Sequence, residues 1–188
     1  MELGLQPHLA DRLNAYIERY PFDFVIGSSH LSGGKDPYYP AFYEGRSEEE
    51  AYREYFTSIT ENIRAFDGFD VYGHLDYVVR YGPHKDTHYS YEKYQDILDL
   101  IIRLLIEKGK GLEINTGGLK YGLKDLHPCT PLLKRYRQLG GEIITIGSDA
   151  HKPENIGVCF SRAEEALIAC GFRYYTIFRE RKPEFIPL

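Results

Sequence analysis

Short apolar runs alternate along this chain with stretches of helical period. Phe22–Phe24–Val25–Ile26 has the character of a strand and leads into Gly27-Ser28-Ser29-His30. A loop rich in Gly, Pro and Tyr follows, from Leu31 to Arg46. Ser47 and Glu50 have the spacing of a capping box, in which two side chains satisfy free N–H groups at a helix start. From there Tyr52, Tyr55, Phe56, Ile59, Ile63 and Phe66 recur on one helical face until Asp67-Gly68 ends it.

The same alternation continues to the C-terminus. Phe69–Tyr72 predicts a second strand, followed by Gly73-His74-Leu75-Asp76 and a loop to Ser90. Tyr94, Ile97, Leu98, Ile101, Ile102 and Leu105 stripe a helix from about Tyr91 to Lys108, which Gly109 stops. Strands are predicted at Gly111–Asn115 and Glu142–Ile146, with a short helix at Pro131–Leu139 between them. Ser161 caps a last helix over Arg162–Cys170, and Tyr174–Phe178 forms a final strand before a polar tail. This β-α-β-α order predicts an α/β fold of parallel strands covered by helices, in one domain over residues 1–188.

Composition narrows the function classes. Hydrophobic residues make up 43% and charged residues 27%, so the chain can bury a core without disulfides or a structural metal. A metal bound here is therefore expected to serve chemistry rather than to staple the fold. The net charge is −5 and Lys and Arg are scattered, which argues against a nucleic-acid groove or an anionic membrane surface as partner. The longest apolar stretch, around Ile97–Ile106, is interrupted by Asp99 and Arg103, so no span crosses a bilayer. Cys129, Cys159 and Cys170 show no CxxC spacing and read as reduced, buried thiols of a cytoplasmic protein. The 17 tyrosines suit half-buried helix faces and pocket walls, with ligand stacking as a second use.

The candidate chemistry lies just beyond the strands. His30, His74, Asp149 and His151 each follow an apolar run by a few residues. The carboxyl ends of parallel strands share one face, so these side chains converge although they are far apart in sequence. Imidazole and carboxylate together suit Zn, Mn or Fe. Asp149-Ala150-His151 is the strongest single pair, because residues two apart on extended chain face one side. Asp76 either orients the His74 imidazole or caps its loop. His8, His84, His88 and His127 read as surface or loop histidines. Gly117-Gly118-Leu119-Lys120 lacks P-loop spacing; Lys120 either meets a phosphate or is a solvated turn residue. No GxSxG is present to support a serine nucleophile.

Four segments taken in order, Gly27-Ser28-Ser29-His30, Gly73-His74-Leu75-Asp76, Leu112-Glu113-Ile114-Asn115-Thr116 and Gly147-Ser148-Asp149-Ala150-His151, resemble the histidinol-phosphatases of the polymerase-and-histidinol-phosphatase (PHP) superfamily. Glu2-Leu3-Gly4-Leu5-Gln6-Pro7-His8 is similar to that family's strand bearing a metal-bridging glutamate. The resemblance implies a distorted (β/α)7 PHP barrel with up to three divalent metal ions. It implies hydrolysis of the small phosphorylated metabolite L-histidinol phosphate, in histidine biosynthesis. Glu2 would bridge two metals, with His30 and His74 on one of them. Asp149 would bind the metal on the other side of Glu2, and His151 the third. The implied nucleophile is a metal-bound hydroxide, with no protein nucleophile, and Lys120 stands where the family tends to have a basic residue near the phosphate.

The family's first strand carries His-x-His, followed by an Asp and a further His, and none of these precedes Glu2. The expectation is thus a barrel incomplete at the N-terminus, its first strands missing and a seam open to pair with another chain. The alternatives are an inactive or weakly metal-binding PHP domain, or a PHP phosphoesterase of another substrate.

Overall fold

A computed structural model describes all residues 1–188. Five parallel strands form one sheet in sequential order: β1 (Glu2–Gly4), β2 (Ile26–Ser28), β3 (Val71–Tyr72), β4 (Gly111–Asn115) and β5 (Ile144–Gly147). Helices α1 (Ala10–Arg19), α2 (Glu48–Ala65), α3 (Gln95–Glu107), α4 (Gly117–Lys120), α5 (Thr130–Gln138) and α6 (Phe160–Ala169) lie between or after the strands. Strands β6 (Tyr174–Arg179) and β7 (Lys182–Pro187) make a separate antiparallel hairpin. The α/β class and the parallel sheet agree with the sequence pattern. The sheet is open between β1 and β5, and no hydrogen bonds close it into a barrel.

Local chemistry explains the elements. The Ser47 hydroxyl accepts from the Glu50 N–H at 3.2 Å, and Glu50 accepts from the Ser47 N–H at 2.8 Å. This capping box starts α2, and Glu48, Glu49 and Glu50 place negative charge at the positive end of its dipole. Tyr52, Tyr55, Phe56, Ile59 and Ile63 are then buried on one face. Leu98, Ile101, Ile102 and Leu105 do the same for α3, and Gly109, at φ +66°, turns the chain after it. The core joins residues from Leu3 to Phe172 in one apolar cluster.

Four features depart from the sequence pattern. The strand expected over 22–26 forms at Ile26–Ser28, because only there does the chain pair with both β1 and β3. The sequence singles out no helix over 10–19; α1 forms there with no fully buried residue, and its Ala10, Leu13 and Ile17 pack half-buried against the core. The polar tail is strand β7, whose Pro183 and Pro187 mask its strand character. The hairpin turn is tied to the sheet by Arg181, whose Nε donates to Asp70 at 2.7 Å and whose Nη2 donates to the Gly68 carbonyl at 2.7 Å. Finally, all three cysteines are free but only Cys129 and Cys170 are buried; Cys159 is half-exposed in the loop before α6.

Candidate metal centre

Short loops beyond β2, β3 and β5 carry His30, His74 and Asp149, as the parallel topology requires. Glu2 differs: it is the first residue of β1, and its side chain reaches across to His74. Glu2 Oε1 lies 3.1 Å from His74 Nε2 and 3.4 Å from His30 Nε2. One carboxylate oxygen thus faces two imidazole nitrogens, all within 4.8 Å of one another. The His30 and His74 rings are 5.1 Å apart.

The electrostatics follow from this proximity. The His74 hydrogen bond holds the Glu2 carboxyl at about 2, against the opposing effect of burial. Burial opposes charge on His74, but the Glu2 hydrogen bond and the Glu113 charge outweigh it and raise its basicity. Burial, reinforced by His74, makes His30 less basic. A proton and a divalent cation compete for the same lone pairs here. His74 Nδ1 is buried without a partner. A Glu-His-His donor set at this spacing fits a divalent transition metal.

Beneath these groups is a buried polar support. The His74 backbone N–H donates to Glu113 Oε2 at 3.1 Å, and Asn115 Nδ2 donates to the same atom at 3.0 Å. Burial raises the Glu113 carboxyl above its ordinary value. The Ser29 hydroxyl, beside His30, meets Tyr72 at 2.5 Å and accepts from Asn62 at 2.7 Å, while Tyr55 donates to the Ser29 carbonyl. These bonds hold the chain just before His30 against α2 and β3.

Glu2, His74, Asp149 and His151 line one cleft of about 330 Å³, together with Glu113 and Asn115. The two members of Asp149-Ala150-His151 differ sharply: the His151 side chain is 84% exposed, whereas that of Asp149 is 16% exposed. Asp149 accepts from Arg80 Nη1 at 3.2 Å. Lys120 is exposed at the end of α4 and does not line this cleft.

Three residues escaped the sequence reading. Arg80 is buried, packs its guanidinium over the Tyr121 and Tyr77 rings at 4.5 and 5.4 Å, and leaves Nε and Nη2 unpartnered. Its signal was an Arg closing the apolar run Tyr77-Val78-Val79. Glu113 had a comparable signal, a carboxylate inside a strand whose every residue is buried. The sequence reads His127 as a surface or loop residue; it is fully buried and its Nδ1–H donates to the Asp76 carboxylate. Asp76 also accepts from the Cys129 N–H at 3.0 Å, so it anchors the segment before α5 and does not orient His74.

Comparison with known proteins decides the family, since the PHP domain family matches residues 1–117. The chain belongs to the PHP family. Histidinol-phosphatase of Lactococcus lactis is 34% identical over 183 residues, 97% of this chain and 68% of the relative. The probable histidinol-phosphatase of Clostridium acetobutylicum is 30% identical, over 97% of this chain and 70% of that protein. The crystal structure of the L. lactis histidinol phosphate phosphatase, in complex with zinc, L-histidinol and phosphate, superposes with a TM-score of 0.86. It is 32% identical, and the match covers 98% of this chain and 70% of that one. A Listeria monocytogenes structure, 22% identical with a TM-score of 0.68 over 81% of this chain and 61% of that one, shares the fold. No helix of this PHP-family chain is long and apolar enough to cross a membrane.

Proposed function

We propose that this protein is a divalent-metal-dependent phosphomonoesterase that hydrolyses L-histidinol phosphate to L-histidinol and phosphate. The observation that carries this reading is the convergence of His30 and His74 Nε2 on one Glu2 oxygen. The place of Glu2 and His74 in one cleft with Asp149 and His151, in a chain related to histidinol-phosphatases, supports it. Glu2, His30 and His74 would hold one metal, and Asp149 and His151 would serve further metals. Divalent metals supply Lewis acidity toward a phosphoryl oxygen and toward water.

The chain's own side chains supply the rest. Glu113 fixes the His74 backbone and hence its ring. Arg80 sets a fixed positive charge beside Asp149, suited to a phosphate, and the Tyr77 and Tyr121 rings confine it. We assign Arg80 the basic role that the sequence offered to Lys120. The Tyr77 ring packs edge-on to His30 at 5.1 Å, and Tyr81 and Tyr38 continue the aromatic row, each ring within 5.2 Å of the next. Such a wall suits the imidazole of histidinol.

The sequential parallel order also supports, as inference, membership of a distorted (β/α)7 barrel in one domain. Three free thiols fit a reducing cytoplasm.

Phosphate release from histidinol phosphate, with zinc or manganese added, tests the proposal. Faster release than from other phosphomonoesters is the expected result. Release only from other phosphoesters would move the substrate elsewhere in the family. No release from any of them, with no bound metal on elemental analysis, would leave the weakly metal-binding alternative.

A further inference from the structure

We propose that Glu48, His84 and His88 form a second, peripheral divalent-metal site that takes zinc and clamps the loop over residues 82–90 to the start of α2. It shares no residue with the cleft of Glu2, His74 and Asp149 and does not depend on the substrate assigned above.

The three groups come from two segments 36 residues apart, brought together by the fold. Glu48 Oε1 is occupied: it accepts from the His84 backbone N–H at 2.9 Å and from the Tyr52 hydroxyl at 3.2 Å. That leaves Oε2 aimed at two imidazoles, with His84 Nδ1 at 3.1 Å and His88 Nδ1 at 3.5 Å. The rings lie 4.2 Å apart, tilted by 32°, so the two Nδ1 atoms point at the same oxygen. All three donor atoms fall within 4.8 Å of one another, as those of the Glu2 cluster do.

The carboxylate is held and the imidazoles are open. The Glu48 side chain is 12% exposed, whereas those of His84 and His88 are 57% and 54% exposed. Two imidazoles and one carboxylate form a borderline donor set that favours zinc over magnesium or calcium, and the open side leaves room for water as a further ligand. A metal would also tie down more than this loop. Lys85 Nζ donates to the Tyr121 carbonyl at 2.6 Å, and Asp86 accepts from the Lys124 N–H at 2.6 Å. The loop is therefore linked to the segment whose Tyr121 ring packs on Arg80.

The test is zinc stoichiometry by equilibrium dialysis and elemental analysis on the whole protein, comparing the parent with a His84→Gln/His88→Gln variant. Both histidines are exposed, so the variant keeps its fold, which circular dichroism checks. The expected result is one zinc fewer per chain in the variant, together with loss of part of the zinc-induced rise in melting temperature. A Glu2→Gln/His74→Ala variant should lose zinc from the other cluster and retain this one. Equal zinc content in the parent and the His84→Gln/His88→Gln variant would overturn the proposal, and the phosphatase reading would stand unaffected.

Discussion

The backbone N–H of His74 donates to Oε2 of Glu113 across 3.1 Å, so the residue whose ring meets Glu2 is itself fixed by a buried carboxylate on the next strand. His74 has φ +26°, an unusual backbone for a histidine, and this bond helps hold it there. Supporting partners of metal ligands typically matter by about 10–100-fold in affinity or activity. Glu113→Ala should therefore weaken zinc binding by roughly that factor with every candidate ligand intact. Zinc titration against a chelator reads this directly, and an unchanged affinity would remove Glu113 from the support.

Gly147 is the floor on which Glu113 rests. A Cβ at position 147 would overlap Glu113 Oε1 and stand 2.9 Å from its Cδ. The carboxylate cannot swing away without losing His74 and Asn115. Gly147→Ala should cost about 1–3 kcal/mol by overpacking and also lower metal affinity. Urea unfolding and zinc titration on the same variant check both halves. A stable variant with full affinity would mean that the strand simply shifts.

Arg80 gives a prediction specific to the phosphate. Its Nη1 holds Asp149 while Nε and Nη2 have no protein partner. Arg80→Lys keeps the charge but loses the planar fork. A lost charge-assisted hydrogen bond is worth about 1.5–3 kcal/mol, which is a rise in KM of roughly tenfold or more. Steady-state kinetics should show it, whereas Lys120→Ala should leave KM near that of the parent. The reverse ranking would return the basic role to Lys120.

The difference between these two residues shows what could be read before folding. Periodicity located α2, α3 and β4, because each has a long one-sided stripe or a continuous buried run. Strand ends then located His30, His74 and Asp149. Neither signal reaches Arg80 or His127, which sit in segments without regular period and are buried by contacts distant in sequence. Nor does spacing distinguish Asp149 from His151: two residues apart, they differ in exposure because Arg80 draws only the carboxylate inward. Spacing leaves Asp76 between two roles, because its partner, His127, lies 51 residues away.

That Asp76–His127 pair carries a stability prediction. Both side chains are almost wholly buried, and the Asp76 carboxylate also accepts from the Cys129 N–H. Asp76→Ala strips His127 Nδ1 and a buried backbone N–H of their acceptor at once. Leaving buried donors without an acceptor costs about 1–3 kcal/mol each. Chemical denaturation should show a loss of that size, and a loss below about 1 kcal/mol would place water in the gap.

A pH dependence away from the metal cluster follows from Asp99 on α3. Arg135 on α5 donates to it through Nε at 3.1 Å and Nη2 at 2.7 Å, and the Tyr91 hydroxyl donates at 2.6 Å. The Arg135 hydrogen bonds, opposed by burial and aided by Tyr91, hold the Asp99 carboxyl below its ordinary value. A carboxyl lowered in the folded state adds stability that is fully present above its unfolded value, about 3.9. That contribution drains as the pH falls below this point and through the lower folded value. The pair is partly solvated, so screening keeps its contribution small. Asp99→Asn should therefore be less stable than the parent at neutral pH, and the gap should close on acidification. Urea unfolding of both proteins across that range measures the gap, and one that stayed constant with pH would mean that packing between α3 and α5, not the ion pair, holds the two helices together.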